Sequence, residues 1–357
     1  MAQHTHKQLN AILAHFNLAK KDYKLSPLND GFINDTYLVS DDESPQYVLQ
    51  RVNHAVFKDV DGLMGNIGHA LKHLNADDYK KIELIQTVSG QPFLSDASGF
   101  WRIMTYIDNS TAYNTTTDPK IAFEAGRIIG RFHTLLKNSP TADYIDTIPR
   151  FHDLCLRETQ FKKALSTADI EKLNKSEGAI SFAKKMLSQI NELNVADLSV
   201  RICHNDTKLN NILFSKKTNK ALCLIDLDTL MKGYFHYDFG DAIRTIVNTA
   251  PEDEQELYKI SFEKNLFDAF VKGLAANEPF LTKNELLALP LGVLVMPFLH
   301  GLRALTDYLN NNVYYKVAYE NQNYDRCLSL FDFTQKAYDK FDYMRMTIAD
   351  LLLGVEG

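Results

Sequence analysis

The sequence predicts an α+β fold of two lobes, a small five-stranded antiparallel-sheet lobe followed by a large, mainly helical one. Three observations predict it. At 357 residues the chain exceeds what one hydrophobic core ordinarily serves. Over roughly the first 105 positions its apolar residues mark five strands of period two beside two helices, and afterwards they recur at helical spacing. Its 16 Gly and 10 Pro are few for that length, against a combined share of about 12% in ordinary proteins. Such a composition is foreign to collagen-like, low-complexity or disordered chains and leans towards helix.

In chain order, Leu9, Ile12, Leu13 and Phe16 mark one face of a helix within residues 5–17. Three strands follow, Tyr23 to Leu28, Ile33 to Val39 and Tyr47 to Val52, with turns at Asn29-Asp30-Gly31 and at Asp41 to Pro45. A helix fits Asp59 to Leu74. Two further strands, Ile82 to Val88 and Phe100 to Ile107, are separated by turn residues near Gly90 and Ser98-Gly99. Beyond Asp108 the pattern is helical almost throughout. Ile121, Ala125, Ile128, Ile129, Phe132, Leu135 and Leu136 share one long helix, Phe267, Phe270, Val271 and Leu274 a second, and Ala337 to Leu353 form a last one. Two short apolar runs, Ile212 to Phe214 and Leu222 to Ile225, bracket a hairpin turn at Ser215 to Lys220. The expected boundary is a short hinge at about 104–110, with lobes at 1–107 and 108–357.

Charge and composition narrow the function. The formal charge is −6 and no Lys/Arg run is long enough to track a phosphate backbone, so no nucleic acid is expected as partner. Met1 to Lys20 has no apolar stretch with a cleavage site, so no secretory signal is expected. The most hydrophobic segment, Leu286 to Leu299, falls short of the ~20 residues of a membrane span. Thr282 and Glu285 ahead of it read as a capping box, so it is expected to be a buried helix. Cys155, Cys203, Cys223 and Cys327 form no CxxC pair and read as small core residues. The expectation is a cytoplasmic protein with no membrane and no obligate protein partner.

Polar residues concentrate in ICHNDTKLNNILF (residues 202–214), followed by CLIDLDTL (223–230). Asp206 stands two residues before Lys208 and five before Asn211, and Asp226 closes a buried-type strand. Phosphoryl transfer requires such parts: a carboxylate for the hydroxyl proton, a cation by the moving phosphoryl group, and hard amide and carboxylate oxygens for Mg²⁺. A short loop aims the first three into one cleft, and the hairpin returns Asp226 to the same place. Each residue alone is an ordinary turn residue; four at these spacings match one mechanism.

These motifs resemble those of the protein-kinase-like small-molecule kinases, the aminoglycoside phosphotransferases and choline kinases. Their His-x-Asp-x-x-x-x-Asn signature stands here as His204 to Asn211, followed by Leu224-Ile225-Asp226. The resemblance is closer still to the bacterial N-acetylhexosamine 1-kinases, through the segments at Asp30 to Val39, Asp238 to Arg244 and Leu302 to Leu309. It implies a protein-kinase-like fold, ATP and Mg²⁺ as cofactors, and phosphorylation of the anomeric hydroxyl of N-acetylglucosamine or N-acetylgalactosamine. Asp206 would be the base, Lys208 would meet the γ-phosphate, and Asn211 and Asp226 would ligate Mg²⁺. Gly31 would let a loop approach the phosphates, Asn34 would shape that loop, and backbone groups around Tyr106 and Ile107 would bind adenine. Arg303 and Tyr314 would hold the sugar. His204 is expected to anchor the catalytic loop, Asp238 and Asp241 to brace it and cap the next helix, and His133 and His152 to be structural.

The chain departs from the wider kinase pattern in two linked places. Gln50 stands where the third strand of a protein kinase carries Lys, and Asp59 to Leu74 contains no Glu to pair with it. Losing one partner would strand a charge, so losing both is self-consistent. Arg51 is a candidate replacement, but alternation turns it to the opposite face of the sheet. Mg²⁺ and Lys208 are left to neutralise the phosphates.

Residues 300–316 carry Arg303, Asp307, Tyr308, Asn310, Asn311, Asn312, Tyr314 and Tyr315. One carboxylate among neutral and aromatic groups suits a neutral polyol over a polycation. Two alternatives stay open: a kinase of the same fold for another small alcohol, and a non-catalytic nucleotide-binding scaffold.

Overall fold

The computed structural model describes residues 4–28, 33–42, 44–193 and 195–353. Helix α1 (His6–Leu13) opens with a capping box between Thr5 and Gln8 and lays Leu9, Ile12 and Leu13 on a sheet. That sheet runs through β1 (Tyr23–Leu28), β2 (Asp35–Asp41), β3 (Ser44–Val52), β4 (Leu84–Ile85), β5 (Leu94–Asp96) and β6 (Gly99–Thr105). Its spatial order is β1-β2-β3-β6-β4, all antiparallel, with β5 pairing β6 off that path. The five anticipated strands form the path. The sixth, only three residues long, is too short to show a period.

Alternation divides the sheet's faces. Val39, Leu49, Trp101 and Ile103 turn to α1 and are all buried. Thr36, Gln50 and Arg102, which lie in register across β2, β3 and β6, occupy the other face. Helix α2 (Val60–His73) packs on that side; Asp59 caps it by accepting the Gly62 N–H at 2.8 Å, and Leu74 ends it, as the spacing predicts.

Past the sheet, β7 (Ser110–Thr111) leads into α3 (Pro119–Leu136), α4 (Leu154–Thr167), α5 (Ile170–Lys175) and α6 (Glu177–Glu192). β8 (Arg201–Cys203), β9 (Ile212–Ser215), β10 (Ala221–Leu224) and β11 (Met231–Gly233) surround the polar segment read above. β9 and β10 form the expected hairpin and β7 adds to its edge; β8 pairs β11 separately. The remainder is helical: α7 (Phe235–Ile246), α8 (Lys264–Ala275), α9 (Lys283–Leu309), α10 (Gln322–Tyr338) and α11 (Phe341–Ile348). The single helix expected over Ala337 to Leu353 is broken: α10 ends at Tyr338 and α11 starts at Phe341, running into a wide turn at Ala349–Leu353.

Helix α9 is the spine of this part. Its capping box is present, Thr282 accepting from the Glu285 N–H while the Glu285 carboxylate accepts from Thr282. It is long and apolar enough to cross a membrane, but 89% of its most apolar window is buried inside the molecule. Pro290 and Pro297 lie within it, where each lacks an N–H to donate to the helix. Helix α7 crosses it at a glycine pair. A Cβ on Gly240 would lie 2.0 Å from the Gly292 carbonyl oxygen, and one on Gly292 1.9 Å from that of His236. This contact fixes α7, whose Asp238 holds the turn after β8.

Candidate active site

The turn between β8 and β9 carries His204 to Asn211, and it is held from below by Asp238 of α7. One carboxylate oxygen of Asp238 accepts the His204 N–H at 2.8 Å and the other the Asn205 N–H at 2.7 Å. His133 of α3 bonds the same carboxylate through Nε2 at 2.8 Å. Asn205 takes a left-handed backbone (φ 62°), and its Nδ2 donates to the Cys203 and Thr229 carbonyls. His204 Nε2 meets the Ile225 carbonyl at 2.9 Å while its Nδ1 accepts the Asp206 N–H at 3.3 Å. The imidazole thereby ties the Asp206 turn to the end of β10. Asp238 and Asp241 both lie inside α7, whose cap position is Tyr234; neither caps it. Asp238 braces the turn as expected, and Asp241 instead bonds Arg244 at 2.7 Å.

Within this frame the four residues singled out above do meet. Asn211 Nδ2 donates to the Asp206 carbonyl at 2.8 Å and to Asp206 Oδ2 at 2.7 Å, while Lys208 Nζ stands 3.0 Å from the same Oδ2. The Asn211 carbonyl accepts the Ile225 N–H at 2.9 Å, one residue before Asp226. Asp226 itself has φ 60° and opens the short turn Leu227–Thr229.

Asp226 is open to solvent yet set deep among protein atoms. That desolvation, followed by the charges of Asp228 and Asp206, raises its pKa to about 6, against the pull of Lys208 and Arg102. Burial also opposes the charge on Lys208, but the Asp206 and Asp226 carboxylates outweigh it and hold its pKa above the ordinary lysine value. Three carboxylates, Asp206, Asp226 and Asp228, share two cations, Lys208 and Arg102, which leaves one negative charge unmatched. With Asn211 Nδ2 fixed on Asp206, its Oδ1 would offer a hard oxygen donor, as would the Asp226 carboxylate. Hard oxygen donors in such a field fit a divalent cation.

The other expected residues are placed as follows. Gly31 lies outside the described residues. Asn34 is buried; its Nδ2 donates to Asp228 Oδ2 at 2.7 Å and its Oδ1 accepts the Asn53 N–H at 3.0 Å. Tyr106 and Ile107 follow the end of β6. The Tyr106 N–H is donated to the Gln46 carbonyl at 3.0 Å, so that donor is already in use. Arg51 bonds Asp35 at 3.2 Å and the Ser98 carbonyl at 3.1 Å, on the face away from Gln50.

Sequence reasoning missed Arg102, which is 1% exposed. Its Nη2 lies 2.5 Å from Asp228 Oδ1, and Nε and Nη2 donate to Gln50 Oε1 at 3.0 and 2.7 Å. The signal for it was its register: it stands directly opposite Gln50, the position where a lysine is missing.

Arg303 and Tyr314 also come together. The Arg303 guanidinium lies 5.5 Å from the Phe151 ring centre, 5.6 Å from that of Tyr314 and 5.7 Å from that of Tyr315, with Nη2 3.4 Å from the Tyr314 hydroxyl. The link to the catalytic turn is His152, next in sequence to Phe151, whose Nε2 meets the Asn205 carbonyl at 3.1 Å. Burial, then the neighbouring His300, lowers the His152 pKa to about 4. A second guanidinium, Arg157, donates to the Phe151 carbonyl at 2.8 Å; burial and the charge of Arg303 lower its pKa. Asp307 is no ligand. It is buried and accepts the Tyr314 and Tyr315 N–H groups at 2.8 and 2.9 Å, so it shapes the segment that presents Tyr314.

All four cysteines are unpaired; Cys203, Cys223 and Cys327 are buried, whereas Cys155 is exposed. His133, Cys203 and Asp238 lie close enough to share a metal, but burial raises the Cys203 thiol well above its ordinary pKa and Asp238 is taken up by backbone donors.

The same architecture recurs among solved structures. A microcompartment-associated aminopropanol kinase superposes with a TM-score of 0.65 at 16% identity, over 95% of this chain and 98% of its own. A spectinomycin phosphotransferase solved with ADP and spectinomycin gives 0.61 at 12% identity, over 98% and 99%. An amicoumacin kinase solved with AMP-PNP and Ca²⁺ gives 0.59 at 14%, over 94% of each chain. At these identities the likeness establishes the protein-kinase-like fold. The sequence carries the assignment further. The pattern that describes the phosphotransferase enzyme family matches residues 24–270, from β1 through the catalytic turn and α7 into α8. By that match over more than half its length, the chain belongs to the phosphotransferase enzyme family.

Proposed function

We propose that the protein transfers the γ-phosphoryl group of ATP to the anomeric hydroxyl of an N-acetylhexosamine, N-acetylglucosamine or N-acetylgalactosamine, giving the sugar 1-phosphate and ADP. Asp206 takes the hydroxyl proton as the sugar oxygen bonds to the γ-phosphorus and the bond to the β,γ-bridging oxygen breaks. Lys208, 3.0 Å from Asp206, offers its positive charge to the transferred group. Asn211 and Asp226 would hold Mg²⁺, which supplies charge neutralisation on the polyphosphate. Tyr106 and Ile107 would carry adenine within a hinge at 104–110 between lobes 1–107 and 108–357, and Gly31 with Asn34 would bring the preceding turn over the phosphates. Unpaired cysteines and use of ATP accord with a cytoplasmic setting.

The observation that carries the sugar reading is the charge of the acceptor side. Arg303 and Arg157 stand there among Phe151, Tyr314 and Tyr315, and the local carboxylate Asp307 is consumed by backbone donors. Two guanidinium groups repel an aminoglycoside or choline, while arginine forks and ring faces suit the hydroxyls, acetamide carbonyl and CH face of a neutral sugar. The competing reading, a kinase for a small amino alcohol, draws on the shared fold of the aminopropanol kinase. Labelled ATP offered with N-acetylglucosamine, N-acetylgalactosamine, glucose, aminopropanol and choline separates the two. The expected product is acid-labile and forms with the acetamido sugars; an acid-stable product, or transfer to the amines alone, overturns the sugar reading.

A further inference from the structure

The kinase pattern places a lysine on the third strand and a glutamate on the following helix, and this chain has neither. The structure shows what occupies that space. Gln50 fills the lysine position on β3, and Met64 of α2 faces it where an acid would be expected; between them lies the buried Arg102 guanidinium. Nε and Nη2 donate to Gln50 Oε1, Nη1 approaches Met64 Sδ at 3.8 Å, and Nη2 lies 2.5 Å from Asp228 Oδ1. Gln50 Nε2 in turn donates to Thr36 at 3.2 Å, so the amide is fixed from both ends. Asp228 is 2% exposed, and its second oxygen accepts from Asn34. Its Oδ1, although close to Arg102, has no aligned donor. Asp228 sits one residue beyond Leu227 in the same short turn as Asp226.

Two independent features of the sheet, a strand cation and the Asn34 amide, therefore converge on one buried carboxylate of the metal-side turn. A buried carboxylate unmatched by charge is costly, so this one requires its arginine. No comparable side-chain anchor from the sheet reaches Asp226 among the described residues.

We propose that Arg102 is a positioning residue of the nucleotide site: clamped by Gln50, it grips Asp228 and so fixes the turn that presents Asp226, joining the sheet to the catalytic turn in place of the absent lysine–glutamate pair. Arg102 is too enclosed to touch substrate; it acts through Asp228. The inference rests on the nucleotide-binding part of the function proposed above and is indifferent to the acceptor.

The test is direct binding, by calorimetry, of Mg²⁺·ADP and of adenosine to the full chain. Breaking the pair singly leaves a buried charge and threatens folding, so the informative variants are the charge-free double variant R102M/D228N and the milder Q50L. Both are expected to fold and to bind adenosine as the unaltered protein does. Mg²⁺·ADP should bind at least tenfold more weakly to the double variant and several-fold more weakly to Q50L. Mg²⁺·ADP affinity unchanged in both would make the pair a plain structural contact and overturn the proposal, as would an equal loss for adenosine. Failure of the unaltered protein to bind Mg²⁺·ADP would instead overturn the kinase reading itself, so the two failures are distinguishable.

Discussion

At the residue scale, the meeting of Asp206, Lys208 and Asn211 was legible because they are close in sequence, and that of Asp226 because a short hairpin brings it back. Asp206, Lys208 and Asn211 lie within one turn, and the hydrogen bonds from Asn211 to Asp206 follow from that spacing. Arg102 was not legible, since its meaning depends on which residue of β3 stands opposite it, a property of register. Asp307 was legible as the one carboxylate of its segment, but its use by two backbone N–H groups was not, because it arises only once residues 313–315 fold back on α9. Two substitutions address this scale. D206N preserves shape and removes the base; turnover should fall by roughly two to four orders of magnitude with little change in melting temperature, read by steady-state kinetics and thermal unfolding. D238A removes a brace and strands three buried donors, those of His204, Asn205 and His133. Each orphaned donor costs ~1–3 kcal/mol, so denaturant unfolding should show a loss of about 3 kcal/mol or more.

At the scale of elements, long amphipathic stretches such as α2 and α9 were read with their caps in the right places, because Asp59 and Thr282 announce them locally. Short pieces escaped. β5, β8 and β11 have three residues each, too few to show a period, and they exist because a neighbouring strand supplies their hydrogen bonds. The break between α10 and α11 also escaped, since the sequence around Asp339 and Lys340 contains neither Gly nor Pro. The α7–α9 crossing is the element-level contact on which the site depends. An alanine at Gly292 drives a methyl group into the His236 carbonyl; G292A should destabilise by several kcal/mol, as overpacking at a backbone contact does, and a chemical-denaturation midpoint would show it.

For the whole molecule, the sequence's change of period near residue 105 located the change from sheet to helices, which β6 and β7 now bracket at Thr105 and Ser110. What the sequence did not disclose is how much titratable chemistry the helical part buries. His152 and His236 are enclosed, and burial lowers both from the ordinary 6.5 to about 4. Between those values the unfolded chain binds more protons than the folded one at these two histidines and at His300, also lowered to about 4. Together they outweigh the opposite effect of Asp226, raised to about 6. Stability therefore rises with pH through the window and is lost as pH falls from about 6.5 towards 4. Each histidine accounts for up to ~1.4 kcal/mol per pH unit there. Thermal unfolding from pH 7 to pH 5 should follow this slope, and H236Q, which cannot take up the proton, should flatten it; an unchanged slope would mean that His236 takes up its proton as readily folded as unfolded.

The central claim is that Asp206, Lys208, Asn211 and Asp226 form one phosphoryl-transfer centre. A crystal structure with Mn²⁺ and a non-hydrolysable ATP analogue tests it most directly through the anomalous signal of the metal. The account requires a peak ligated by Asn211 Oδ1 and the Asp226 carboxylate, with the γ-phosphate beside Lys208 and facing Asp206. Metal and triphosphate bound elsewhere, with those four side chains untouched, would contradict it.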